Sequence, residues 1–88
     1  MDWDVNFTYE GKEDLEKLSG EVRERVFNKI VWLKNNFGQI VSLPLSNEWR
    51  GFFKLRVGDW RVIYDIDNKL KEITIHRIDK RDKVYKRK

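Results

Sequence analysis

The stretch Phe53-Lys54-Leu55-Arg56-Val57-Gly58-Asp59-Trp60-Arg61-Val62-Ile63-Tyr64 sets cations among large apolar residues at a spacing that can do chemistry. Gly58-Asp59 is a turn pair suited to a tight hairpin, which opposes Val57 to Trp60, Arg56 to Arg61, Leu55 to Val62 and Phe53 to Tyr64. Strand side chains alternate between faces. Phe53, Leu55, Val57, Trp60, Val62 and Tyr64 therefore share the face that helices must cover, and Lys54, Arg56 and Arg61 share the other. Two arginines directly opposed cost roughly several tenths of a kcal/mol unless something anionic lies between them. The same cations would also suit a merely solvated sheet face, so the rest of the charge distribution matters.

That distribution is uneven. The whole chain carries a net charge of +4, while residues 77–88 alone hold seven basic and two acidic residues, and the remainder is nearly neutral. A basic terminus beside a basic hairpin makes a cleft for an anionic partner, most naturally RNA; an anionic membrane or an acidic protein would feel the same field. Tyr85, set among Lys83, Lys86, Arg87 and Lys88, is placed either to stack on a base or move a proton, or to anchor the tail together with Val84. By strand parity His76 falls on the cation face with Thr74 and Ile78, as a proton-transfer group or a structural histidine.

These groups need a scaffold, and 88 residues allow one core, so residues 1–88 are expected to form a single domain. With no cysteine and one histidine, neither a disulfide framework nor a metal site is expected, and no cofactor is implied. The lack of cysteine fits a reducing compartment, so a cytoplasmic location is expected, and the acidic start without a long apolar run reads as neither a signal peptide nor a membrane segment. Residues 3–9 alternate as a first strand. Glu13 and Asp14 after Gly11 favour a short helix carrying Leu15 and Leu18, broken at Ser19-Gly20. Val22, Val26, Ile30, Leu33 and Phe37 form the stripe of a second helix ending at Gly38. Residues 39–47, with Pro44, read as a loop, and strands follow over 51–57, 60–66 and 70–78. The expected fold is α+β, in the order β-α-α-β-β-β: a mainly antiparallel four-stranded sheet, two helices packed on one face, and a basic C-terminal tail.

The hairpin phrase from Phe53 to Tyr64, followed by His76-Arg77-Ile78-Asp79-Lys80-Arg81-Asp82-Lys83-Val84-Tyr85, resembles the RelE/ParE toxin superfamily over nearly the whole chain. The Arg81…Val84-Tyr85 ending is similar to the RNA-cleaving RelE branch. The resemblance implies a toxin of a type II toxin–antitoxin system, a metal-independent endoribonuclease that cuts messenger RNA in the ribosomal A site and so inhibits translation. A ribose 2′-OH attacks the adjacent phosphate, leaving 2′,3′-cyclic phosphate and 5′-OH ends. By position, Arg61 would clamp the scissile phosphate, Lys54 would stabilise charge or assist proton transfer, and Arg81 would bind phosphate near the leaving group. Tyr85 would sit at the 2′-OH, stacking or acting as base. Arg56, Lys86, Arg87 and Lys88 would contact ribosomal RNA, with Arg77, Lys80 and Lys83 in the same RNA-binding set. Phe52 stands where some members carry a further lysine, and Lys80 where histidine is frequent, which leaves the division between acid and base open.

Membership also implies a RelB-like antitoxin, whose helix would wrap the domain and cover or distort the basic cleft in a hetero-oligomer. Two other readings share the fold: a ParE-like inhibitor of DNA gyrase, and a non-catalytic relative that binds RNA or protein.

Overall fold

The computed structural model describes residues 3–39, 43–45 and 49–80. Its elements run β1 (Asp4–Phe7), α1 (Tyr9–Lys17), α2 (Gly20–Asn35), β2 (Leu43–Pro44), β3 (Phe53–Val57), β4 (Trp60–Asp67) and β5 (Glu72–Lys80), with a 3-10 turn at Phe37–Gln39. The sheet order is β1-β5-β4-β3-β2, parallel between β1 and β5 and antiparallel elsewhere. The expected β-α-α-β-β-β order holds, and the two-residue β2, inside the stretch read as a loop, adds a fifth strand.

The first strand gives way to helix earlier than residues 3–9 suggest, because Thr8 caps α1. Its extended backbone and Oγ1, which accepts from Gly11 N at 3.0 Å, start the helix at Tyr9. Gly11 lies inside that helix rather than before it. A Cβ there would run into the Ile75 carbonyl, so the missing side chain is what lets α1 lie against β5. The second helix buries Val26, Ile30 and Leu33 as its stripe requires, but ends at Asn35. Asn36 closes it by donating from backbone N and Nδ2 to Trp32 O, and Gly38 falls in the 3-10 turn beyond.

Val57, Val62, Tyr64, Ile73, Ile75 and Ile78 of the sheet pack with Val26, Ile30 and Leu33 of α2 into the main core. One parity expectation is overturned. Tyr64 opposes Ile75 and Ile63 opposes Arg77, so His76 is an extra residue in β5, a bulge that shifts the alternation by one. Ile78 consequently joins the helix-covered core at 2% exposure instead of sharing His76's face.

Past the end of β1, helix α1 closes the edge of β5. Thr8 N donates to Ile75 O at 3.0 Å, and Asp14 Oδ2 accepts from Ile78 N at 3.0 Å and from Arg77 Nε at 2.8 Å. A carboxylate thus takes the place of the missing strand, satisfying a backbone donor that would otherwise be left open.

Candidate nucleic-acid interface

The hairpin forms in the register read from sequence: Val57↔Trp60, Arg56↔Arg61, Leu55↔Val62 and Phe53↔Tyr64. Gly58 has φ of +61°, and no positive φ occurs at Asp59, the pattern of a type II′ turn whose twist suits the strands. Lys54, Arg56 and Arg61 therefore share the face away from the helices. Arg56 is exposed and Lys54 half-buried between its register partners Leu43 and Ile63, whereas Arg61 is only 2% exposed. A cation closed off to that degree is not a solubilising residue. Charge in such surroundings is retained only with compensating charge or hydrogen bonds.

One source of compensation lies in the next strand. Asp79 is the direct register partner of Arg61 on β5 and is itself only 8% exposed. The row Arg56–Arg61–Asp79 across three strands keeps a net positive charge, and Asp79 answers one of the two opposed arginines. The sequence reading overlooked this carboxylate because it treated the hairpin without its third strand.

The same face also carries a small apolar cluster that the sequence reading missed. Leu45 and Ile63 are buried, with Trp49 and Phe52 packed against them. Phe52 stands edge-on to Trp49 at 5.4 Å and to His76 at 4.8 Å, and His76 Nε2 lies 3.0 Å from Asp65 Oδ2. The signal was present in Val62-Ile63-Tyr64, an unbroken apolar run that requires cover on both faces, and in the large residues Leu45, inside the stretch read as a loop, Trp49 just beyond it and Phe52 at the start of the next strand.

Not every expected RNA contact reaches the cation face. Arg77 turns to α1, where Nε and Nη2 donate to the two carboxylate oxygens of Asp14 at 2.8 and 3.3 Å. Lys80 is the register partner of Trp60, with Nζ 5.8 Å from that ring centroid, and so belongs to the helix-side parity. Arg81, Lys83, Tyr85, Lys86, Arg87 and Lys88 lie outside the described residues. Among the described residues no group of three His, Cys, Asp or Glu is placed to hold a metal ion, and no helix is long and apolar enough to cross a membrane.

Comparison with known proteins bears on the fold and the family. Residues 5–85 match the family described as the ParE toxin of the type II toxin–antitoxin system parDE. Toxin RelG of Mycobacterium tuberculosis is 31% identical over 93 residues, covering 99% of this chain and 100% of the relative. The toxin–antitoxin complex RelBE2 from the same organism contains a chain 30% identical, with a TM-score of 0.80 over 92% of this chain and 100% of that one. A free E. coli RelE mutant superposes with a TM-score of 0.75 at 21% identity, over 98% of this chain and 93% of that one, a likeness of fold. The chain accordingly belongs to the ParE toxin family of type II toxin–antitoxin systems, within the RelE/ParE superfamily.

Proposed function

We propose that this toxin is a ribosome-dependent endoribonuclease that cuts messenger RNA in the A site without a metal ion and acts in the cytoplasm. The observation that supports the reading best is the pair Arg56–Arg61, directly opposed beside Lys54 on one face, with Arg61 withdrawn from solvent. A guanidinium in a low-dielectric setting interacts more strongly with a phosphate than one in bulk water, and it needs little reorganisation as charge builds there.

In the reaction the 2′-oxygen bonds to phosphorus, the bond from phosphorus to the 5′-oxygen breaks, and the 2′-OH proton leaves to a base. A second proton reaches the departing 5′-oxygen, giving a 2′,3′-cyclic phosphate and a 5′-OH. Arg61 holds the phosphate, Lys54 supports the developing charge, and the family resemblance gives Arg81 and Tyr85 the leaving-group and 2′-OH positions. Arg56 contributes a backbone contact, and Lys83, Lys86, Arg87 and Lys88 bind ribosomal RNA. Arg77 and Lys80, given their placement, enter this set only by contacts beyond the cation face. The chain pairs with a RelB-like antitoxin, as the relatives in the RelBE2 complex and in the archaeal RelE–RelB complex from Pyrococcus horikoshii do.

The test is a translating-ribosome assay with a defined messenger. A-site cuts with cyclic-phosphate ends are expected, and Arg61→Ala and Arg81→Ala should each lower cutting by about 100-fold or more. The family match favours one second reading, since ParE names a toxin group on this same fold. Inhibition of gyrase supercoiling with no cuts on ribosomes would replace the ribonuclease with a gyrase inhibitor.

A further inference from the structure

Lys54, Arg56 and Arg61 can hold a phosphate, but none of them is suited to take a proton from a 2′-OH. A guanidinium has no acceptor site, an ammonium already carries its full set of protons at neutral pH, and Asp79 is the buried register partner of Arg61. The chain has one histidine, and histidine is the side chain best suited to exchange a proton near neutral pH. His76 lies on the cation face. Its neighbour Ile75 is buried in the main core, so the His76 ring points to the opposite side, where Phe52 stands 4.8 Å away at an interplanar angle of 87°. As the extra residue of the β5 bulge it has no register partner on β4, and bulges of this kind re-aim a side chain beside a site.

Two contacts fix the ring. Nε2 lies 3.0 Å from Asp65 Oδ2, and Phe52, itself against Trp49 at 5.4 Å, packs edge-to-face with the imidazole. The carboxylate favours the tautomer with its hydrogen on Nε2, which leaves the Nδ1 lone pair as the acceptor. The His76 side chain is 28% exposed and that of Asp65 40%, so an RNA strand lying on the face can reach the ring. Arg77, next along β5, opposes Ile63, and Ile63 opposes Lys54, which sets the backbones of His76 and Lys54 two strand spacings apart, about 10 Å. A ribose hydrogen-bonded at one end and its phosphate at the other, each contact about 3 Å long, spans such a gap.

We propose that His76 is the base of the cutting reaction and that Asp65 is the residue that positions it. The inference rests on the ribonuclease reading above and assigns the proton acceptor which that reading leaves open. His76 Nδ1 takes the 2′-OH proton as the 2′-oxygen bonds to phosphorus and the bond from phosphorus to the 5′-oxygen breaks. The 5′-oxygen leaves with a proton from water, and the imidazolium returns its own to solvent. Asp65 holds the ring and offsets the charge that appears on it. Tyr85, to which the family resemblance gives a stacking or a base role, then stacks. The other charged groups on the elements around the ring are Arg50 before β3, Lys54 on β3, Asp67 and Asp4 flanking Glu72 on β4, β1 and β5, and Arg77 paired with Asp14 of α1. Asp65 is the one within hydrogen-bond distance of the imidazole.

The experiment measures single-turnover cutting of a defined messenger on ribosomes across the pH range in which histidines titrate, with ribosome affinity measured separately. In the wild type the rate should rise with pH and then level off, as a base catalyst requires. His76→Gln should slow cutting by about 100-fold or more, leave ribosome affinity within about twofold, and abolish the rise. Asp65→Asn should slow cutting by about tenfold and move the rise to lower pH, because loss of the carboxylate disfavours the imidazolium. Added imidazole should restore part of the rate to His76→Ala. Should His76→Gln fail to fold, the shifted profile of Asp65→Asn decides. If the wild type cuts and His76→Gln cuts equally fast, or loses cutting only through weaker ribosome binding with an unchanged pH profile, His76 is not the base and the ribonuclease reading stands. An unshifted profile in Asp65→Asn also overturns the proposal. A wild type that makes no cuts defeats the ribonuclease reading and this inference with it.

Discussion

Ile63 and Tyr64 are neighbours in β4, both closed to solvent at 0% and 1% exposure, yet they belong to different cores. Tyr64 faces the helices, where its ring meets Phe53 at 5.9 Å and Phe37 at 6.5 Å within a cluster fed by both helices and four strands. Ile63 faces the other way, under a small cluster of Leu45, Trp49 and Phe52. The first face holds the domain together through volume and apolar area. The second is covered by Leu45, Trp49 and Phe52 and shares its face with Lys54, Arg56 and Arg61, so there the identity of each side chain matters more than its bulk.

The largest effect expected from this contrast is on the helix side. Tyr64→Ala removes a fully buried ring and leaves a cavity, and should cost about 3–5 kcal/mol in urea unfolding, most of the stability of a domain this size. Phe52→Ala, half-buried on the other face, should cost about 1–2 kcal/mol in the same assay, because its ring loses edge contacts with Trp49 and His76 but leaves the main core intact. Equal losses at the two positions would mean that the second cluster is as deep a core as the first.

Much of this contrast was legible in the sequence, and the reasons it was incomplete are physical. The period-two pattern of 53–64 gave the hairpin register residue by residue, since a two-residue turn leaves no slack. The stripe from Val22 to Leu33 gave α2. Local pattern did not foretell the bulge at His76, because an extra residue in a strand is fixed by what its neighbours require, and Ile78 was assigned to the wrong face in consequence. Nor did it show that Asp14 would stand in for a strand beside Ile78, an arrangement between residues 64 positions apart. The cation face was recovered at Lys54, Arg56 and Arg61. Its register partner Asp79 and the aromatic neighbour of His76 became visible only when β5, Leu45 and residues 49–52 were placed next to the hairpin.

The smallest effect is expected at Arg56, and it separates the two arginines most clearly. Both occupy the same cross-strand pair, but Arg56 is exposed while Arg61 is buried beside Asp79. An exposed guanidinium contacts phosphate through a highly screened field, so Arg56→Ala should lower cutting by only about 3–10-fold and leave unfolding within about 0.5 kcal/mol of wild type. Removing a like charge opposite Arg61 also relieves a cross-strand repulsion, which offsets part of any stability loss. The discriminating measurement is ionic strength: the slope of log affinity for ribosomes against log salt should fall by about one, the signature of one lost phosphate contact. If Arg56→Ala instead abolishes cutting with an unchanged salt slope, the exposed member of the pair does the chemistry and Arg61 serves the fold.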